Sequence, residues 1–363
     1  MNPIAGRRFE PDYIVPPGET LGEVLEESGM TQAELSRRTG LSTKHINQIV
    51  AGDATISPET ALKLERVTQV PARFWTQLEA FHQDQLSRKL EAETLQSDVD
   101  WLRLFPVRQL IERGWIERKA ERVDQLREVL SFFGVASRSA WETVWNVPTA
   151  YRKSRAFESD LHALATWLRI GELRAESLVG GPFNAQAFRS ALGDIRGLTR
   201  VGDPDVWLPA LQQTCAQNGV AVVIEREVPG ARINGAVRWL SPNRVLIELS
   251  LRHRWADIFW FTFFHEVGHV VQHERKRLTF VDARGANQGR LEEEADAFAS
   301  RILIPREFDE ELAELGSSTQ RIRDFADRLG IGAGIVVGRL QHEGMVGHDQ
   351  LNSLRTRFVF ATR

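Results

Sequence analysis

The sequence predicts a multidomain, mainly α-helical protein whose last part is an α+β unit. Three observations predict it. Capped helical segments separated by glycine turns fill the first part, apolar residues recur at helical spacing through the middle, and the period shifts to short β-rich runs after residue 200. A length of 363 residues allows two or three domains with real cores. The expected divisions are 1–85, an all-α helix-turn-helix bundle; 86–200, a helical middle; and 201–363, the α+β unit.

In the first block, Thr31-Gln32-Ala33-Glu34 has the form of a capping box, a Thr N-cap with Glu three residues later. It opens a short helix, Gln32 to Arg38. Gly40 supplies a turn residue tolerant of positive φ, and Ser42 caps a second helix, Thr43 to Val50, which ends at Gly52. A further helix starts at Ser57-Pro58-Glu59, with proline at its first position. Helix, short glycine turn, helix is the spacing of a DNA-reading helix-turn-helix. Ile46 and Ile49 then face the core. Thr43, Lys44, His45, Asn47 and Gln48 remain for the major groove, where Asn and Gln can read adenine edges. Gln32 is a further DNA-contact candidate, and Arg37 and Arg38 are candidates for phosphate.

The middle repeats apolar residues around Trp101, Leu104, Leu110, Ile111 and Trp115, again around Leu126, Val129, Leu130 and Phe133, and again around Leu161, Leu164, Trp167 and Leu168. The charged tract Arg88 to Glu93 reads as a helical connector with a solvated face.

In the last block, Val220 to Ile224 and Val245 to Leu249 are strands bounded by Gly219, Gly230 and Ser241-Pro242-Asn243. Ile233 to Leu240 reads as a third strand between them, and helices follow. The apolar approach Ile258 to Phe264 leads into His265-Glu266-Val267-Gly268-His269. Histidines four apart on a helix project from one face and can take two corners of a zinc tetrahedron, with Glu266 beside them as general base.

A third ligand is required, and the acidic run Leu291 to Ala299 offers it. Ala295, Phe298, Ala299 and Ile302 form an apolar face. Glu292 and Asp296 lie at one edge of that face, Glu294 at the other, and Glu293 points to solvent. Glu292 is therefore the candidate ligand, and Asp296, one turn on, the candidate that orients a ligand histidine. His273 is the alternative ligand by the same face argument. One Zn2+ per chain is expected. No residue stands out for stabilising an oxyanion: Tyr13 and Tyr151 are distant in sequence, leaving His342, His348 and Arg301 to consider.

Composition narrows the rest. Cys215 is the single cysteine, which excludes an internal disulfide and a thiolate zinc cluster, and its apolar context reads as an inert buried thiol. The net charge of −3 confines any DNA binding to a local basic face. No secretory h-region and no membrane-length apolar run stand out, so the expectation is a cytoplasmic protein without membrane contact. Gly330-Ile331-Gly332-Ala333-Gly334 lacks the Gly-Lys-Ser/Thr ending of a nucleotide loop and reads as a helix-to-helix turn.

The first block resembles the HigA-type, XRE-like helix-turn-helix antitoxins through Pro17-Gly18-Glu19, Thr31 to Ser36, Ile56 to Leu62 and Phe74-Trp75, although Asp53 stands where a basic residue is common. That resemblance implies a homodimer on double-stranded operator DNA and a toxin partner. The last block resembles the ImmA/IrrE metallopeptidases through Asn234-Gly235-Ala236, Trp260-Phe261-Thr262, the His265 to His269 run, Glu292 to Ala299, and Ile331 to Leu340. It implies a zincin-like, gluzincin-like endopeptidase with His265, His269 and Glu292 as ligands and Glu266 as base, which cleaves helix-turn-helix repressors under stress or prophage signals. The expected function is a DNA-binding regulator that cleaves a repressor, an antitoxin or itself. The alternative is a non-proteolytic HigA-like antitoxin or transcription factor with a sensing or structural zinc domain.

Overall fold

The computed structural model describes residues 15–145, 160–178, 180–272, 280–281 and 289–358. The chain forms two compact units, Met1–Asp100 and Trp101–Arg363.

The first unit is all helix: α1 (Pro17–Glu27), α2 (Gln32–Thr39), α3 (Thr43–Val50), α4 (Pro58–Thr68) and α5 (Ala72–Asp98). Its starts are set by side-chain caps. Thr31 Oγ1 accepts from the Glu34 N–H at 3.2 Å, Ser42 Oγ from His45 N–H at 3.1 Å, and Ser57 Oγ from Thr60 N–H at 3.1 Å. Leu21, Leu35, Ile46, Ile49, Leu64 and Trp75 form the core. Gly18 lets α1 lie on α3, since a Cβ there would meet the Ile49 carbonyl oxygen at 1.9 Å. The division expected at residue 85 falls inside α5, one unbroken helix.

The second unit has helices α6 (Val107–Glu112), α7 (Arg122–Phe133), α8 (Arg138–Val144), α9 (Leu161–Glu176), α10 (Ala185–Gly197) and α11 (Pro204–Gln217). Strands β1 (Val220–Ile224), β2 (Gly235–Ser241) and β3 (Arg244–Leu249) follow, then α12 (Ala256–Gln272), β4 (Phe280–Val281), α13 (Gly289–Leu303), α14 (Asp309–Glu314), α15 (Thr319–Leu329) and α16 (Ala333–His342). Among the described residues the sheet has the order β1-β3-β2-β4, with β1 and β3 parallel and β2 antiparallel to β3 and to β4. The mixed sheet among helices matches the α+β expectation; the short β4 edge was not foreseen.

Alternation along the strands gives the sheet two apolar faces. Val220, Val222, Val237, Val245, Ile247 and Leu249 face the main core with Trp260, Phe263, Phe264 and Val267 of α12. Ala221, Val223 and Leu246 pack with Ala175 of α9 on the other side. The expected division at 200 therefore does not separate two bodies. A sheet apolar on both faces needs a helix layer on each, and helices of the expected middle block supply one: α9 covers the second face, while Phe188, Leu192 and Ile195 of α10 enter the main core.

Gly330 ends α15 with φ 68° and Gly332 precedes α16, so the glycine-rich run is a helix-to-helix turn. Cys215 is fully buried, and burial pushes its thiol up out of the titrating range. No helix among the described residues is long and apolar enough to cross a membrane.

Candidate metal centre and DNA-reading helix

Helix α12 forms because its large apolar residues pack on the sheet and on neighbouring helices; full burial of each such side chain is worth roughly 1.5–3 kcal/mol. That packing fixes the rotation of the helix. It turns His265 and His269 toward α13 at 7% and 2% exposure, and Glu266 toward β2 at 1%. Helix α13 buries Ala295, Ala299 and Leu303. The two helices approach closely at Gly268, where a Cβ would stand 3.1 Å from the Ala295 Cα. They run antiparallel, since His265 meets Asp296 while His269 meets Glu292.

One nitrogen of His265, Nδ1, lies 2.8 Å from Asp296 Oδ1. Its other nitrogen, Nε2, lies 3.0 Å from Glu292 Oε2 and 3.1 Å from His269 Nε2. His269 Nε2 is 3.4 Å from Glu292 Oε1. The two imidazole nitrogens and a carboxylate oxygen thus converge on one point. Tetrahedral donors around a zinc ion at about 2.0–2.1 Å stand about 3.3 Å apart, so this donor set fits zinc in kind and in spacing. With Nδ1 held by Asp296, Nε2 of His265 is the nitrogen turned inward, where a metal would take the place of its proton.

The electrostatics favour a cation at that point. Burial works to lower the pKa of His265, but its hydrogen bonds to Asp296 and Glu292 outweigh it and raise the value to about 11. Burial works to raise Glu292, but hydrogen bonds from His265 and His269 outweigh it and hold the carboxyl at about 2. Both directions state one fact: positive charge is stabilised between these groups.

Glu266 lies under the start of β2. A Cβ at Gly235 would meet Glu266 Oε1 at 2.5 Å, so only glycine leaves that carboxylate its place. Glu293 is exposed and Glu294 pairs with Arg290 at 2.9 Å, which sets both apart from the donor group. His273, Tyr13 and Tyr151 lie outside the described residues. Arg301 and His348 are exposed, and His342 ends α16 at the mouth of a cavity beside α12. Sequence reasoning did not foresee the roles of Gly235 and Gly268, because a close approach shows only once two elements are packed.

In the first unit, α3 buries Ile46 and Ile49 and leaves Thr43, Lys44 and Asn47 exposed; His45, Gln48 and Gln32 are half-buried. Arg38 Nε binds Glu34 Oε1 at 2.7 Å, and Arg37 also pairs with Glu34. Glu34 therefore turns to the two arginines, not back to the N-cap as a full capping box requires. These exposed pairs are worth little in water, so both guanidiniums are available to phosphate.

Family models agree with both units. The helix-turn-helix model matches residues 21–75, and the IrrE N-terminal-like domain model matches residues 253–341. The chain joins a helix-turn-helix domain to an IrrE-like peptidase-family domain. The latter match contains the whole His265–Glu292 donor group. Among solved structures, an addiction module antidote protein of a HigA family from Coxiella burnetii aligns at 22% identity with a TM-score of 0.22, covering 23% of this chain and 92% of that one. No curated protein matches.

Proposed function

We propose that the IrrE-like domain is a zinc-dependent endopeptidase and that the helix-turn-helix domain brings it, as a homodimer, to an operator. In this reading the protein is a cytoplasmic regulator whose substrate is a repressor, an antitoxin or a second copy of this chain, in a stress, prophage or toxin–antitoxin response. The observation that carries the reading is the convergence of His265 Nε2, His269 Nε2 and a Glu292 oxygen within 4.8 Å of one another.

His265, His269 and Glu292 would hold one zinc per chain. When bound, zinc acidifies a water and polarises the scissile carbonyl. The chain's own residues do the rest. Asp296 accepts from His265 Nδ1–H and fixes the ring. Glu266, buried beside the donors, takes the proton of the attacking water and delivers it to the leaving amine. Packing between α12 and the start of β2 keeps bulk water from the base. On DNA, α3 presents Thr43, Lys44 and Asn47 to base edges, with His45, Gln48 and Gln32 at the margins, while Arg37 and Arg38 meet phosphate.

The deciving experiment compares zinc content and cleavage in the native protein, His269→Ala and Glu266→Gln. The expected result is about one zinc per chain in the native protein and in Glu266→Gln, none in His269→Ala, and cleavage of a helix-turn-helix repressor by the native protein alone. Undiminished cleavage by Glu266→Gln would overturn the assigned base. A native protein that takes up no zinc while binding operator tightly would leave a DNA-binding regulator or antitoxin without peptidase chemistry.

A further inference from the structure

The seam between α12 and α13 continues past the donor group. One turn before His265 on α12 stands Phe261, and one turn after Asp296 on α13 stands Ser300. Both line a cavity of about 160 Å³. Ile258, Leu303, Ile304 and Ile335 supply an apolar lining, and Arg339 and His342 of α16 line it too. Among its described lining residues the one acid, Asp257, is occupied by Arg355, with Nη2–Oδ2 at 2.7 Å and Nε–Oδ1 at 2.9 Å. Arg339 is paired with Glu343. Ile258 and Phe261 remain half-exposed although large apolar neighbours surround them.

We propose that this cavity receives one apolar side chain of a bound peptide, of the leucine, methionine or phenylalanine class, within about four residues of the bond to be cleaved. The proposal rests on the peptidase reading of the donor group and adds the substrate class. Three observations carry it. The cavity shares a helix–helix seam with the donors, and its near wall, Phe261 and Ser300, stands one to two helical turns from them, about 6–12 Å, which two to four residues of extended peptide span at about 3.3 Å each. Its volume fits one large side chain, since an apolar cavity of about 150 Å³ admits benzene. Among its described lining residues Asp257 and Arg339 already hold partners, so a Lys or Glu side chain would have to displace one of them or meet His342 alone.

The test measures affinity rather than turnover. The full-length Glu266→Gln protein, loaded with zinc, is titrated calorimetrically with Ac-Ala-Xaa-Ala-NH2 peptides in which Xaa is Ala, Leu, Phe or Glu. Leu and Phe peptides are expected to bind about tenfold or more tightly than Ala and Glu peptides. Ser300→Leu, which fills the cavity from α13, should bring Leu and Ala peptides within about twofold of each other. Phe261→Ala, which enlarges it, should move the preference toward Phe, so the two variants push in opposite directions. Equal affinities across the series, or a preference unchanged in both folded variants, would overturn the proposal. Because binding is read directly, the side-chain preference can hold where the native protein cleaves nothing; that combination would refute the peptidase reading and leave the apolar site standing.

Discussion

Glu292 and Glu248 are both acids withdrawn from water within one unit, on the two sides of one sheet, and they are driven in opposite directions. Glu292, on the α12 side, faces two histidines and is held at about 2. Glu248, in the central strand β3, points to the α9 side, and neither of its carboxylate oxygens has a hydrogen-bond partner among the described residues. Burial pushes it well above the usual carboxylate range, and Glu225 and Glu172 push it further; Arg238 and Arg174 only partly offset this. Arg238 is taken up by Glu172 at 2.9 Å and lies over the Trp145 ring at 4.4 Å, while Arg174 pairs with Glu225. The difference teaches that burial sets the cost of a charge, and partners decide whether the protein meets it.

The largest expected effect breaks the comparison at Glu292. Glu292→Gln keeps the shape but removes the anionic donor, and zinc affinity should fall by more than about 100-fold, beyond the 10–100-fold typical of partners that only orient a ligand. Competition against a chromophoric chelator measures it, and an unchanged affinity would remove Glu292 from the donor set.

Next in size is the contact that makes room for Glu248. A Cβ at Gly171 of α9 would stand 2.0 Å from Glu248 Oε2. Gly171→Ala should therefore destabilise the second unit by about 1–3 kcal/mol, although alanine is the better helix former. Glu248→Ala in the same chain should recover much of that loss. Denaturant unfolding of the single and double variants reads the coupling, and additive effects would show that the two residues do not share the space.

The smallest effect sharpens the comparison through pH. Folded Glu248 holds its proton more tightly than the unfolded chain does, whose carboxyl titrates near the ordinary 4.5. Its contribution to stability is complete below that value and is lost as pH rises toward the folded pKa, by up to about 1.4 kcal/mol per pH unit. Glu248→Gln cannot ionise and should remove that slope. Melting temperatures from pH 4.5 upward at constant ionic strength check it, and parallel profiles for native and variant protein would rule it out.

Local signals were legible in the sequence. The caps at Thr31, Ser42 and Ser57 and the Gly40 turn depend on residues three or four apart, and the α3 bounds read from them match the structure. The spacing of His265 and His269 is likewise local. The helical-face argument singled out Glu292 and Asp296 from an acidic run, and the folded chain brings both against His265. What was illegible depends on distant partners. Val-Leu-Ile-Glu-Leu reads as an ordinary strand, and nothing near Glu248 announces that Gly171 will lie over it. The reach of α9 and α10 into the sheet's two layers erased the division expected at 200, and α5 ran through the one expected at 85. The pairing of Arg37 and Arg38 with Glu34 was hidden because one acid could serve either the cap or the arginines.

The antiparallel seam of α12 and α13 also bears on how such a protein diversifies. Its donor turn and its cavity turn are successive stretches of the same two rods, so Ile258, Phe261, Ser300 and Leu303 can be exchanged while His265, His269, Glu292 and Asp296 stay in place. On the proposed reading, point changes alone alter which side chain the cavity takes. One residue inserted between the two turns of either helix would instead rotate one against the other by about 100°, so the seam could not keep both. Descendants of this design should therefore differ in side chains along the seam and not in its length.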